Sequence, residues 1–153
     1  MRVAIILPWV GGSMPPYLSF TCHTMVGGFK TATLLLFHES IQKGSVPIPC
    51  RTASNIIVQE LEDGGIAALH IHRILEAGSW SKRPTTPIMH KKLRRLFQVS
   101  PASLSEFKPS WGWVFGDYLS GFSHWTYTDA DVVFGRLASV YHSLHNYLVS
   151  CDA

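Results

Sequence analysis

Two apolar segments separated by a short stretch constrain the fold more than any other feature of this sequence. Residues 2–9 (RVAIILPW) and 31–38 (TATLLLFH) are largely aliphatic and β-branched, and polar and apolar residues do not alternate along them. Such runs are typical of strands that are buried on both faces of a sheet. Residues 17–25 between them are predicted to form a short helix, ended by Gly27 and Gly28. This strand–helix–strand order predicts an α/β fold with a mostly parallel sheet.

The rest of the chain continues the same pattern without an internal repeat or a low-complexity tract, so residues 1–153 are predicted to form a single domain. The further predicted elements are a loop at 44–51, a third strand at 55–59, a helix at 66–75, a later strand at 124–128 and a final amphipathic helix at 137–148.

Composition excludes several classes of protein. Of the 153 residues, 46% are hydrophobic and only 15% are charged, against roughly 25% charged in an average soluble domain. This argues against disorder, a coiled coil or a highly charged nucleic-acid-binding protein, and a net charge of +3 predicts no partner by itself. Pro8 interrupts the N-terminal apolar run, so we expect neither a signal peptide nor a transmembrane helix, which takes about 20 residues. The sequence leaves the compartment open.

The cysteines do not form a recognisable framework. Cys22, Cys50 and Cys151 are odd in number and widely spaced. This spacing predicts neither a set of disulfides nor a zinc site. We therefore expect buried or incidental thiols.

Residues 78–105 are strongly basic. Six of the thirteen Lys and Arg residues fall here, and no acidic residue lies between Glu76 and Glu106. The segment is predicted to be a Pro-containing loop or insert with one short basic helix. Its simplest interpretation is a solvated surface. The alternative is a surface that faces polyphosphate, RNA or a membrane.

Asp129 and Asp131 are the most informative residues for chemistry. They lie two apart, directly after an apolar and aromatic strand. Two carboxylates at this spacing can converge on Mg²⁺ or Mn²⁺, which take oxygen ligands and complete their shell with phosphates and water. A metal so held can neutralise the diphosphate of a leaving nucleotide. An isolated Asp-x-Asp is more often a solvated turn.

Other candidate residues also follow predicted strands. Pro8 and Trp9 lie at the carboxyl end of the first strand, and Glu39 follows the second. Ligands of open α/β sheets bind at the carboxyl ends of the strands, so a base and ribose are expected there, with the diphosphate near Asp129. Lys108 is predicted to begin an aromatic helix with Pro109 in its first turn, which favours a bound phosphate. The 4-, 3- and 4-residue spacing of four aromatic residues suits one face of that helix: Trp111, Phe115, Tyr118 and Phe122.

The chain then resembles a largely uncharacterised glycosyltransferase-like family that contains an Asp-x-Asp motif. The opening VAIILPW segment and the LLLFHE segment match more weakly than the later region, and residues 40–105 match poorly. The residues that carry the resemblance are Glu106-Phe107-Lys108-Pro109-Ser110-Trp111-Gly112-Trp113-Val114-Phe115, Asp117-Tyr118-Leu119, Gly121-Phe122, Trp125, Tyr127 and Asp129-Ala130-Asp131-Val132-Val133-Phe134-Gly135.

The resemblance implies a Rossmann-like GT-A fold that binds a nucleotide sugar, UDP- or GDP-linked, with Mn²⁺ or Mg²⁺. Asp129 and Asp131 would form the metal and diphosphate site, and Lys108 would contact the nucleotide or its phosphates. Glu39 matches a position suited to a base or ribose contact. Glu106, where the family often has Asp, is a further candidate. The sugar would be transferred to an unknown acceptor.

The resemblance also implies a longer protein with an acceptor-binding half after the Asp-x-Asp motif. The expectation is therefore that this chain is a fragment with the acceptor half missing, whose activity alone is uncertain. A second hypothesis is a non-catalytic, truncated nucleotide-binding or interaction module. Its working surface would be the basic segment, which could bind a polyanion such as RNA, although nucleic acid is the less expected partner.

Overall fold

The computed structural model describes residues 2–28, 31–39, 46–77, 86–135 and 149–150. The predicted helix at 137–148 lies outside these residues. The described strands are β1 (Val3–Trp9), β2 (Ala32–Glu39), β3 (Ile56–Leu61), β4 (His124–Tyr127) and the two-residue β5 (Val149–Ser150). The helices are α1 (Leu18–Gly28), α2 (Ile48–Thr52), α3 (Gly65–Ala77), α4 (Thr86–Val99) and α5 (Trp111–Val114), with 3₁₀ helices at Pro101–Ser110 and Gly116–Tyr118.

The strands form one sheet in the order β3-β2-β1-β4-β5. The first four strands are parallel, and β5 runs antiparallel to β4 at the edge. Ile6 in the central strand pairs with Leu35 of β2 and with Tyr127 of β4. The predicted α/β class, the parallel sheet and the buried central first strand are confirmed.

Both faces of the sheet are covered, which explains why polar residues do not alternate along β1 and β2. Successive strand residues point to opposite faces, so Ile5 and Leu7 pack with α1 and α2, whereas Ala4 and Ile6 pack with α3, α4 and α5. Burying each large aliphatic side chain contributes about 1.5–3 kcal/mol. The two apolar layers are therefore the main source of the fold's stability.

Pro8 is compatible with a central strand because of where β4 ends. The Val3 amide donates to Thr31 on the β2 side. Alternation along the strand then directs the nitrogen of Pro8 toward β4. Pairing with β4 stops earlier, where the Thr128 amide donates to the Ile6 carbonyl. The missing N–H of Pro8 therefore leaves no ladder position unfilled, and β1 and β4 are free to separate.

The expectation of free thiols at Cys22 and Cys50 was wrong, because they form a disulfide. Both cysteines are fully buried, and the bond joins α1 to α2 on one face of the sheet. Spacing along the chain did not reveal this pairing, since the crossover through β2 brings the two helices together. Cys151 lies outside the described residues.

Three local predictions need correction. The second half of the predicted 44–51 loop forms α2, which Pro47 precedes and Pro49 enters at its first turn. Residues 111–122 do not form one helix, since the α-helical part ends at Val114 and a 3₁₀ turn follows. Lys108 accordingly lies inside the 3₁₀ helix Pro101–Ser110 and not at the start of an α-helix.

The basic segment is helical over much of its length. Residues 78–85 lie outside the described residues, so the predicted loop there has no structural description. The predicted basic helix is confirmed as α4, which is longer than expected at 14 residues. Among the described residues, no helix combines the length and hydrophobicity needed to cross a membrane.

Candidate functional site

A cleft opens where β1 and β4 separate at the carboxyl edge of the sheet. Its volume is about 220 Å³. The chain proceeds from β1 to β2 and β3 on one side, and β4 lies on the other side of β1. The cleft is therefore at the topological switch point, where open α/β sheets bind ligands. It is lined by Leu7, Pro8, Trp9, Val10, Pro101, Ala102, Leu104, Ser105, Trp111, Thr128, Asp129 and Ala130.

Asp129 and Lys108 form an ion pair at the rim of this cleft. Lys108 Nζ lies 2.7 Å from Oδ1 and 2.7 Å from Oδ2 of Asp129. The lysine side chain is only 18% exposed, whereas that of Asp129 is 52% exposed. The same Nζ lies 5.4 Å from the centre of the Tyr127 ring, within cation–π range. The lysine is thus held in place while the carboxylate remains accessible to solvent.

Asp131 is exposed, as is Asp129, whereas Ala130 between them is buried. Both carboxylates are therefore open to solvent, and the Val132 amide donates to the Asp129 carbonyl at 3.4 Å in the turn that carries them. Asp131 does not line the cleft itself.

Helix α1 holds this turn through two threonines that the sequence did not single out. Buried Thr21 donates from Oγ1 to the Ala130 carbonyl at 2.6 Å. The Phe134 amide donates to Thr24 Oγ1 at 3.0 Å. These bonds fix the backbone on both sides of Asp131. No local motif marks Thr21 or Thr24, because each pairs with a residue more than 100 positions away.

The inner walls of the cleft are apolar and aromatic. Pro8 is buried and Trp9 is half-buried, with Trp9 Nε1 donating to the Ser13 carbonyl at 3.1 Å. Trp111 is 2% exposed and packs edge-on against Tyr127, with ring centres 5.8 Å apart. None of the described residues accepts a hydrogen bond from Trp111 Nε1. The walls therefore suit a flat, largely apolar group such as a nucleobase.

Glu39 lies in a neighbouring cleft of about 390 Å³, which shares Val10 and Pro101 with the first. Its side chain is 7% exposed. Its Oε1 accepts a hydrogen bond from the Ile66 amide at 2.9 Å. A carboxylate in this position stabilises the N-terminal turn of α3. Glu39 thus has a structural role whether or not a ligand binds beside it.

The structure brings together some of the sequence-predicted site residues and separates others. Pro8, Trp9 and Asp129 line one cleft. Lys108 does not line it but pairs with Asp129. Glu39 is one cleft away. Glu106 is exposed and lines neither cleft.

Asp129 and Asp131 offer too few protein ligands to hold a divalent cation without a second ligand. Within the described ranges, no group of three or more His, Cys, Asp or Glu side chains could hold a metal ion. Mg²⁺ commonly binds through one or two carboxylates together with substrate phosphates and water. Asp129 and Asp131 supply two carboxylates, so phosphate oxygens and water would have to complete the shell of any cation that they hold.

Comparison with known proteins identifies one similarity. Residues 88–147 match a family of unknown function, DUF6625. The matched segment contains α4 from residue 88 onward, Lys108, Asp129 and Asp131, but it does not include β1 to β3. Neither a curated protein nor a solved structure matches the chain.

Proposed function

We propose that this chain is a glycosyltransferase-like domain of GT-A type, which binds a nucleoside-diphosphate sugar at the cleft between β1 and β4. The observation that carries the proposal is the Lys108–Asp129 pair at the rim of an aromatic cleft at the switch point of a parallel sheet. A charged rim and a flat apolar interior match the two ends of a nucleotide. The reaction proposed is transfer of the sugar to an acceptor.

Each part of the donor has a counterpart in the cleft. The base lies between Pro8, Trp9 and Trp111, where it displaces water from apolar surface. Trp111 Nε1 is buried and has no acceptor among the described residues, and it would donate to a base carbonyl that reaches it. Lys108 turns from Asp129 to the diphosphate, and a phosphate oxygen replaces the carboxylate as its partner. This exchange keeps the lysine paired throughout and releases Asp129.

Asp129 and Asp131 would then hold Mn²⁺ or Mg²⁺ together with the phosphates. The cation supplies charge neutralisation for the departing nucleotide. The turn around Ala130 positions the two carboxylates, and Thr21 fixes that turn from α1. In the free protein, Lys108 pairs with the Asp129 carboxylate and competes with a metal ion for it. We therefore expect weak metal binding in the absence of nucleotide.

The buried Cys22–Cys50 disulfide favours folding in an oxidising compartment. A reducing cytosol would keep these thiols apart, and the link between α1 and α2 would be lost. Since α1 carries Thr21, this link also supports the turn that presents Asp129 and Asp131.

Calorimetric titration tests the proposal. The protein is titrated with UDP and with GDP, each with and without Mn²⁺, and the titrations are repeated on Asp129→Asn and Asp131→Asn. The expected result is binding of one nucleotide that requires Mn²⁺ and is weakened more than tenfold in either variant. Asp117→Asn is the matched control, since Asp117 is exposed and pairs with Arg73 away from the cleft.

Absence of binding of both nucleotides by the folded protein would overturn the proposal. Binding that is indifferent to Mn²⁺ and to both aspartates would overturn the metal site. It would leave the non-catalytic nucleotide-binding module as the better description.

A further inference from the structure

Helix α4 presents an outward face on which basic and aliphatic residues are interleaved. At 100° per residue, Ile88, Lys92 and Val99 lie within an arc of about 40°. Lys91, Arg95 and Leu96 extend this face to an arc of about 140°. These six residues, here called the α4 outer face, are all exposed. On the opposite side of the helix, Phe97 is 1% exposed and belongs to the core.

The aliphatic side chains of this face are unusually accessible. Ile88 is 56% exposed, Leu96 43% and Val99 76%. Single exposed apolar residues are ordinary on protein surfaces. Here Leu96 and Val99 are i, i+3 neighbours, and Ile88 lies about two turns away along the same face. The fold does not need them there, because Phe97 and the partly buried Leu93 already anchor α4 to the core.

The charge of the face has one sign. Lys91, Lys92 and Arg95 are exposed, and α4 contains no acidic residue. The remaining basic residue of the helix is not part of the face, since Arg94 pairs with Asp63 on the inner side. Within the described part of the chain, no acidic side chain forms an ion pair with Lys91, Lys92 or Arg95. The positive charge of the outer face therefore favours an anionic partner.

We propose that the α4 outer face docks on an anionic lipid surface. A basic helix that also exposes aliphatic residues can lie in the plane of the membrane interface, with its apolar side chains below the headgroups. The long stems of lysine and arginine then run alongside the aliphatic residues while their charges reach the headgroups. Attraction to anionic lipids adds to the apolar burial.

A nucleic acid would explain only half of this surface. Interfaces with nucleic acids are polar and rich in water, and unpaired bases stack on aromatic or arginine side chains. Ile88, Leu96 and Val99 would gain little against a phosphate backbone, whereas they gain free energy in acyl chains. The lipid surface therefore accounts for both residue types. The proposal is independent of nucleotide binding at the cleft.

Co-sedimentation with vesicles tests the docking. The full chain is mixed with phosphatidylcholine vesicles that contain or lack phosphatidylglycerol. Two triple variants are compared: Lys91→Gln/Lys92→Gln/Arg95→Gln and Ile88→Ser/Leu96→Ser/Val99→Ser. The matched control is Ile48→Ser/Arg51→Gln, which removes an exposed aliphatic and an exposed basic side chain from α2, on the other side of the sheet. Circular dichroism confirms that each variant is folded.

The expected result is binding that requires phosphatidylglycerol. The basic triple variant should bind about 100-fold more weakly, since each cation near the surface contributes about one kcal/mol. The aliphatic triple variant should lose at least about tenfold, and the α2 control should bind as the unaltered protein does.

Two results would overturn the proposal. The first is a folded protein that does not sediment with anionic vesicles. The second combines two observations. The protein binds an RNA homopolymer, and this binding is lost in the basic variant but kept in the aliphatic variant. In addition, the aliphatic variant binds vesicles as well as the unaltered protein does. Nucleotide titration of the same variants keeps this test separate from the proposed function, because the α4 outer face does not line the cleft beside Asp129.

Discussion

Lys108 Nζ lies 2.7 Å from each carboxylate oxygen of Asp129, across 21 positions of sequence. This pair connects the 3₁₀ helix Pro101–Ser110 to the turn that follows β4. Half of the aspartate side chain is exposed, so solvent screens the attraction and the pair contributes at most about 1 kcal/mol to stability. Its more important consequence is to place a cation and an anion at the mouth of the cleft.

Replacing Lys108 should weaken nucleotide binding with little effect on the stability of the fold. Lys108→Met keeps the length of the side chain but removes its charge. The free energy of unfolding in urea should change by less than about 1 kcal/mol, whereas nucleotide affinity in the presence of Mn²⁺ should fall at least about tenfold, because a charge-assisted bond to phosphate is lost. Lys92→Met, on the exposed side of α4, is the control. Unchanged affinity in Lys108→Met would remove this lysine from the site.

Thr21 should affect both the fold and the site. Thr21→Val preserves the shape of the side chain but leaves the buried Ala130 carbonyl without its hydrogen bond. We expect unfolding free energy to fall by about 1–3 kcal/mol and Mn²⁺-dependent nucleotide binding to weaken. Thr52→Val removes an exposed bond to the Ile48 carbonyl and should change stability by less than about 0.5 kcal/mol. Equal effects of the two substitutions would argue against a role for Thr21 in holding the turn.

The disulfide should make stability sensitive to reductant. Cys22 and Cys50 are 28 positions apart, and closing a loop of that length is expected to contribute about 3.5 kcal/mol. Urea denaturation with and without dithiothreitol should show a loss of this order, and Cys22→Ala/Cys50→Ala should become insensitive to reductant. Thiol labelling followed by mass spectrometry checks the pairing. Labelling of both cysteines in the oxidised, folded protein would contradict it.

His70 should impose a pH dependence on stability. It is 1% exposed, its Nδ1 lies 2.8 Å from the Ile66 carbonyl, and no described residue pairs with its Nε2. The rings of Phe97, Phe107 and Phe115 surround it. Burial lowers the pKa of His70 below its ordinary value of 6.5, and the bond to the Ile66 carbonyl opposes this shift. The native state therefore holds the imidazole in its neutral form.

The direction of the effect follows from which state takes up the proton first. Below pH 6.5, His70 is protonated in the unfolded chain but not in the folded chain. The free energy of unfolding therefore decreases as the pH is lowered, until the pH reaches the lowered pKa of the native state. Above pH 6.5 the contribution is constant. Urea denaturation across this range should show a shallower pH dependence for His70→Leu than for His72→Leu, whose histidine is exposed. Identical pH dependences for the two variants would contradict the assignment.

The sequence was sufficient for the parallel sheet because the apolar runs of β1 and β2 are continuous and a helix separates them. It also located Asp129 and Asp131 after a strand, since an aromatic segment leads directly into them. What could not be read locally were contacts between distant residues. The Cys22–Cys50 bond, the Thr21–Ala130 bond and the Lys108–Asp129 pair all depend on how the crossovers place one element beside another.

The aromatic segment shows a different limit. Its 3- and 4-residue spacing predicted one long helix, but 3₁₀ turns break the segment around α5. Within α5, Gly112 allows close packing on β4, because a Cβ there would overlap the ring of Trp125. The four aromatic residues at this spacing still pack in one core cluster: Trp111, Phe115, Tyr118 and Phe122.

The donor site is best tested by NMR, with the tryptophan indole N–H signals observed while UDP or GDP is added with Mg²⁺. We predict that one nucleotide shifts the signals of Trp9 and Trp111, which line the cleft, and leaves those of Trp113 and Trp125, which line a separate pocket, nearly unchanged. Assignment by single Trp→Phe substitutions identifies each signal. Shifts confined to Trp113 and Trp125, or no shift with either nucleotide, would contradict a donor site between β1 and β4.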